Sequence, residues 1–134
     1  IGYPLTVYGK GGQTRGYLNI KNTMQCVHMA EKNPAKSSDL NIYNQIMETF
    51  TVNQLAELTY SVGNELGYNV KIKKIENPRV ELEEHYYNPS YQKLIELGVK
   101  PYYLNKDSMQ KMFEIVGLFK NNIRKDVIFK GVKW

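Results

Sequence analysis

The sequence predicts an α/β lobe built from short strands and about four helices. Three observations carry that expectation. Residues 70–75 interleave apolar and lysine side chains, as in a strand with one wet face. Leu55, Leu58, Val62 and Leu66 recur at helical spacing, with a capping box at Thr51 and Gln54 before them and a stop at Gly67 behind. Breaks at Gly9 to Gly12, Asn33-Pro34, Asn77-Pro78 and Asn88-Pro89 divide the chain into short elements.

Residues 1–8 are apolar and β-branched and read as the first strand; its abrupt start suggests a piece of something longer. A glycine-rich loop follows from Tyr8 to Leu18. Ile20, Met24, Val27 and Ala30 then mark one apolar face of a helix capped by Asn19 or Asn22 and closed by Asn33-Pro34, a face to be covered internally or by a neighbouring domain. Residues 40–46 read as a short strand with polar letters interleaved. The helix begun at Thr51 carries a hydrophobic staple, Phe50 with Leu55. After the strand at 70–75, Asn88-Pro89 opens a short helix that holds Leu94 and Leu97 and stops at Gly98. A last helix starts near Asp107, with Met109, Met112, Phe113, Val116, Phe119 and Ile123 as a broad apolar face. Residues 127–134 form a basic, aromatic tail, expected as a final strand or an arm laid on a neighbour.

With 134 residues the chain is one domain or part of one, and residues 1–134 are read as a single lobe. Its 42% hydrophobic and 23% charged content is that of a folded protein rather than a disordered one. No apolar run reaches the length of a membrane span, so the cytoplasm is the expected compartment. Cys26, the lone cysteine, has no partner for an internal disulfide. A net charge of +5 and 11 tyrosines raise the question of nucleic acid. The lysines, however, are dispersed from Lys10 to Lys133 and interrupted by Glu81, Glu83 and Glu84, which argues against a duplex-binding stripe.

Two stretches carry binding chemistry. Gly9-Lys10-Gly11-Gly12-Gln13-Thr14-Arg15 has the composition of an anion-binding loop, in which glycines admit close backbone approach and a guanidinium can grip two phosphate oxygens. Of the 18 lysines and arginines only Arg15, Arg79 and Arg124 are arginine, so their placement is informative where a bidentate fork matters. Arg15 is expected just ahead of a helix N-terminus, where an anion is favoured. Asn77-Pro78-Arg79-Val80-Glu81 forms the second stretch, with Glu81 placed to orient Arg79. Glu81, Glu83, Glu84 and His85 could serve as an acid/base or metal set, but a solvated acidic face is the plainer reading. Cys26 and His28 diverge on a helix and form no metal pair.

Those two stretches, with Pro4 to Lys21, Glu83 to Asn88 and the Leu97-Gly98 stop, closely resemble the extended short-chain dehydrogenase/reductase family of nucleotide-sugar epimerases and dehydratases. Within it they match the narrower group of UDP-sulfoquinovose synthases, in their C-terminal part. Arg15-Gly16-Tyr17 departs from the wider family's Arg-Asp-Tyr and agrees with the narrower group. The resemblance covers nearly the whole chain. It implies a substrate-binding lobe docked on an N-terminal Rossmann domain that holds NAD, the chain itself holding no cofactor and no catalytic residue. Arg15 and Arg79 would grip the diphosphate of the sugar nucleotide, Gln13 and Thr14 would bond sugar or phosphate, Tyr8 would lie along the uridine or sugar, and Glu81 would fix Arg79.

The implied reaction joins UDP-glucose and sulfite to give UDP-sulfoquinovose, with NAD taking and returning a hydride. This chain alone would be inactive, and the parent enzyme could be a homodimer. The compartment would be the plastid stroma in a photosynthetic eukaryote. Tyr17 with Lys21 and Tyr102 with Lys106 match the family's catalytic Tyr-x-x-x-Lys spacing but fall outside the segment that uses it. The alternatives are another UDP- or dTDP-sugar epimerase or dehydratase, or a sugar-nucleotide-binding module without turnover.

Overall fold

The computed structural model of the protein describes residues 1–77 and 88–128. Among them the order is β1 (Leu5–Tyr8), β2 (Thr14–Tyr17), α1 (Ile20–Lys32), β3 (Glu48–Thr51), α2 (Val52–Glu65), β4 (Ile72–Ile75), α3 (Gln92–Glu96), α4 (Lys106–Leu118), a 3-10 turn (Lys120–Asn122) and α5 (Lys125–Ile128). The α/β class expected from the sequence is therefore observed. β1 and β4 pair in parallel, Leu5 opposite Ile72 through Tyr8 opposite Ile75. β2 and β3 form an antiparallel pair, Thr14 opposite Thr51 and Arg15 opposite Phe50.

Helix termini follow the local chemistry of the sequence closely. The Thr51 side chain accepts from the Gln54 amide at 3.1 Å while the Gln54 side chain accepts from the Thr51 amide at 2.8 Å, completing the capping box of α2. That helix ends in a Schellman motif. The Tyr68 amide bonds the Gly63 carbonyl, the Gly67 amide bonds that of Asn64, and Gly67 takes φ +83, a conformation that glycine adopts without a side-chain penalty. α3 closes in the same way at Gly98, which brings Val99 beside Leu94 in the core. Its start differs from expectation: the N-cap is Tyr91, and Asn88-Pro89 lies upstream of the helix rather than capping it.

One further expectation is corrected, and two apolar faces whose cover the sequence left open are placed. Residues 40–46 are not a strand. Leu40 and Ile42 are 83% and 66% exposed, and the strand forms at Glu48–Thr51, where β2 supplies a partner. The apolar stripe of α1 faces outward, with Ile20 70%, Met24 63% and Val27 56% exposed. The helix instead buries Asn22 and Cys26 and packs Met29 against the core of Cys26, Met47, Leu94 and Val99. Hydrophobic periodicity reports an apolar face; it does not say which surface covers it. Finally, α4 buries only Met109 of its broad face, leaving Met112, Val116 and Phe119 exposed. Of the tail, Val127 and Ile128 are helical within α5, and 129–134 lie outside the described residues.

Polar side chains of α1 hold the segment leading to α4. Asn22 donates Nδ2–H to the Tyr102 carbonyl at 2.9 Å and accepts the Tyr102 amide at 2.8 Å. Gln25 does the same for Lys100, at 3.0 and 3.2 Å. Residues three apart share a helix face, and residues two apart share a strand edge. The two amides thus act as a substitute β partner for an extended segment.

From β3, Glu48 adds a third hold, accepting the Leu104 amide at 2.6 Å. Burial pushes the Glu48 carboxyl above its ordinary 4.5, and the Leu104 hydrogen bond opposes that only in part. The folded state then binds more protons than the unfolded one, so this group's contribution falls as pH rises from 4.5 through its folded pKa. Glu48→Gln keeps an acceptor without the charge. Melting temperature measured against pH should fall less above 4.5 in that variant than in wild type, with no loss at neutral pH; a steeper fall would refute the account.

Candidate functional site

The glycine loop leaves the C-terminal end of β1, beside the C-terminal end of β4, and the Gly9 amide donates to the Ile75 carbonyl at 2.9 Å. In open α/β sheets this is the end of parallel strands where ligands bind. Gly9 and Gly11 have φ of +61 and +72, and Gly11 is also sterically closed. A Cβ there would meet Asn53 Oδ1 at 2.4 Å and Val7 Cγ1 at 2.8 Å. The loop is tied to the start of α2. The Asn53 amide donates to the Gly11 carbonyl at 3.0 Å, and Asn53 Nδ2–H donates to the Lys10 carbonyl at 2.9 Å.

The site residues read from the sequence divide into those the structure brings together and those outside it. Tyr8 ends β1 and is half-exposed. Gln13 is only 7% exposed, and its Oε1 has no hydrogen-bond partner among the described residues. Thr14 begins β2, half-buried. Arg15 stands exposed on β2, its Nη1–H donating to the Thr14 carbonyl at 3.1 Å. Arg15 and Tyr17 lie on one face of β2 with Phe50 of β3, and the Tyr17 and Phe50 rings meet edge to face at 5.9 Å. Arg79 and Glu81, together with Glu83, Glu84 and His85, lie outside the described residues.

One placement differs from expectation. Arg15 belongs to a strand, with Gly16 to Asn19 between it and α1, and it is not at a helix start. The α1 terminus is capped by Asn19, whose side chain accepts the Lys21 amide at 2.9 Å. Sequence reasoning missed two features here. The four residues of β2 are too few for a periodic signal, and Asn53 is hidden inside the capping box of α2.

The loop does not fit the pyrophosphate of a dinucleotide such as NAD. That group sits where a glycine turn runs from a strand into a helix N-terminus. Here the turn runs into β2, and the nearby α2 terminus spends its donors on the loop carbonyls and the Thr51 cap. A well-formed groove among the described residues lies elsewhere: of about 600 Å³, between Tyr3, Leu5, Tyr68, Val70, Phe113 and Val116, it opens at the opposite end of β1.

The fold is that of a portion of the nucleotide-sugar epimerases. A UDP-N-acetylglucosamine 4-epimerase from Methanobrevibacter ruminantium M1, solved with UDP-N-acetylmuramic acid, superposes with a TM-score of 0.61 at 20% identity, over 91% of this chain and 36% of that one. A UDP-glucose 4-epimerase of Thermus thermophilus, solved with NAD, gives 0.58 at 20% identity over 81% and 34%.

In sequence, the chain is 46% identical over 134 residues to the chloroplastic UDP-sulfoquinovose synthase of Spinacia oleracea, and 40% identical over 136 residues to the UDP-sulfoquinovose synthase of Sulfolobus acidocaldarius. Both alignments take in all of this chain but only 28% and 35% of those proteins. No protein-family model matches the chain. The chain is a relative of the UDP-sulfoquinovose synthases, within the lineage of nucleotide-sugar enzymes, and fits a C-terminal part of such an enzyme.

Proposed function

We propose that this chain is a single lobe that binds the nucleotide-sugar substrate of an NAD-dependent UDP-sulfoquinovose synthase, the enzyme that joins UDP-glucose and sulfite. The observation that carries the reading is the loop at the C-terminal ends of β1 and β4. There Gln13 is buried with an Oε1 that has no partner among the described residues, two positions before the exposed Arg15. A buried carbonyl oxygen without a donor is costly, and a sugar hydroxyl can supply one. Arg15 grips the diphosphate from β2. Arg79 follows Ile75 by four residues, and Ile75 is the residue that anchors the start of the loop, so chain connectivity supports a second guanidinium on the same ligand. Thr14 bonds sugar or phosphate, Tyr8 lines the uridine side, and Glu81 orients Arg79.

NAD belongs to a Rossmann domain elsewhere in the enzyme, as does the hydride chemistry, and the apolar face of α1 is suited to contact with that domain. The enzyme works as a homodimer in the cytoplasm, or in the plastid stroma of a photosynthetic eukaryote, in keeping with a relative named chloroplastic.

Calorimetric titration of the full-length protein with UDP-glucose tests the reading. Arg15→Lys and Arg79→Lys should each weaken binding by about 1 to 2 kcal/mol, because lysine keeps the charge but loses one arm of a planar, charge-assisted pair. Variants that titrate like wild type would sink the diphosphate clamp. Product formation that does not depend on sulfite would assign the enzyme to another nucleotide-sugar epimerase or dehydratase.

A further inference from the structure

Asn53 stands on α2, outside the loop itself, and holds the loop by two hydrogen bonds. Its backbone amide and its side-chain amide take the carbonyls of Gly11 and Lys10, two consecutive residues. The peptide bonds here are trans, so each carbonyl points away from the N–H of the same peptide unit. Drawing both carbonyls onto α2 therefore turns the amides of Gly11 and Gly12 to the other side. It also sets the direction in which the chain enters Gln13 and β2. The arrangement accounts for glycine at 11, since a Cβ would displace Asn53 from its bond.

We infer that Asn53 is a positioning residue for the nucleotide-sugar site: by clamping Lys10 and Gly11 to the first turn of α2 it holds Gln13 and Arg15 in their binding arrangement. The inference rests on the reading of that loop as the sugar-nucleotide site. It has an informative variant in Asn53→Asp, which is isosteric but cannot donate to the Lys10 carbonyl. A carboxylate at this position favours the N-terminus of α2 itself, so the helix is supported while the clamp is broken.

The test is calorimetric titration of the full-length protein with UDP, using wild type, Asn53→Asp, Asn53→Ala, Arg15→Lys and the double variant Asn53→Asp with Arg15→Lys. Each Asn53 variant should bind UDP about tenfold more weakly. The double variant should lose less than the product of the single losses, because an unclamped loop no longer presents the arginine that is being changed. If wild type binds UDP and the Asn53 variants match it, the clamp is refuted while the site stands. Losses that multiply in the double variant also refute it, since Asn53 would then act independently of Arg15. If wild type itself fails to bind UDP, the reading of the site fails and takes this inference with it.

Discussion

Replacing Gly11 by alanine is expected to destabilise the protein by about 4 kcal/mol, while the same change at the adjacent Gly12 should be nearly neutral. Two effects add at position 11. Its φ of +72 lies in the left-handed region, where a Cβ costs roughly 1 to 2 kcal/mol. The new methyl would also stand 2.8 Å from Val7 Cγ1 and 2.4 Å from Asn53 Oδ1. Val7 is only 1% exposed and has nowhere to go. Asn53 can move only by giving up Lys10, so overpacking and a lost hydrogen bond contribute about 2 kcal/mol or more.

Gly12 is exposed, and a Cβ there meets no atom within 4 Å. Denaturant unfolding of the full-length protein, with hydrogen exchange followed in β1 and α2, checks the contrast. Equal effects at the two positions would show that the loop tolerates side chains generally and that the close approach to α2 is unimportant.

Asn22→Ala is expected to cost about 3 kcal/mol, although it removes a polar residue from a helix. Asn22 is 0% exposed and satisfies both the amide and the carbonyl of Tyr102. Truncation leaves those two backbone groups without partners in a part-buried place, at roughly 1 to 3 kcal/mol each, offset in part by the better helix propensity of alanine. Asn22→Asp should also destabilise, because a carboxylate accepts the Tyr102 amide but offers its carbonyl no donor. Protection of the Tyr102 amide from hydrogen exchange reports the clasp directly. Protection retained in Asn22→Ala would mean that another group holds the segment.

Much of the local structure is legible in the chain because it depends on neighbours in sequence. Thr51 and Gln54 cap each other across three residues, and Gly67 and Gly98 end helices because the next turn requires a positive φ. The same holds for the strand at Ile72–Ile75, which falls within the run of apolar and lysine residues at 70–75 although its own four residues, Ile-Lys-Lys-Ile, do not strictly alternate. The failures are of another kind. Leu40 and Ile42 have strand-like spacing but no strand beside them among the described residues, whereas Thr14–Tyr17 becomes a strand because Glu48–Thr51 lies alongside. On α1 the apolar spacing marks a face without saying what covers it, while the buried residue that matters most is an asparagine whose partner lies 80 positions away.

For the candidate site, residue type and order alone carry the chemistry: a glycine-rich loop, an amide, a hydroxyl and an arginine in a chain that otherwise relies on lysine. Those are local properties. It took the folded arrangement to bury Gln13 with an oxygen that has no partner among the described residues, to stand Arg15 on a strand rather than at a helix start, and to tie the loop down through Asn53. Each of those depends on the approach of segments tens of residues apart. That approach is set by the pairing of β1 with β4 and of β2 with β3, and the pattern within a single segment does not encode it.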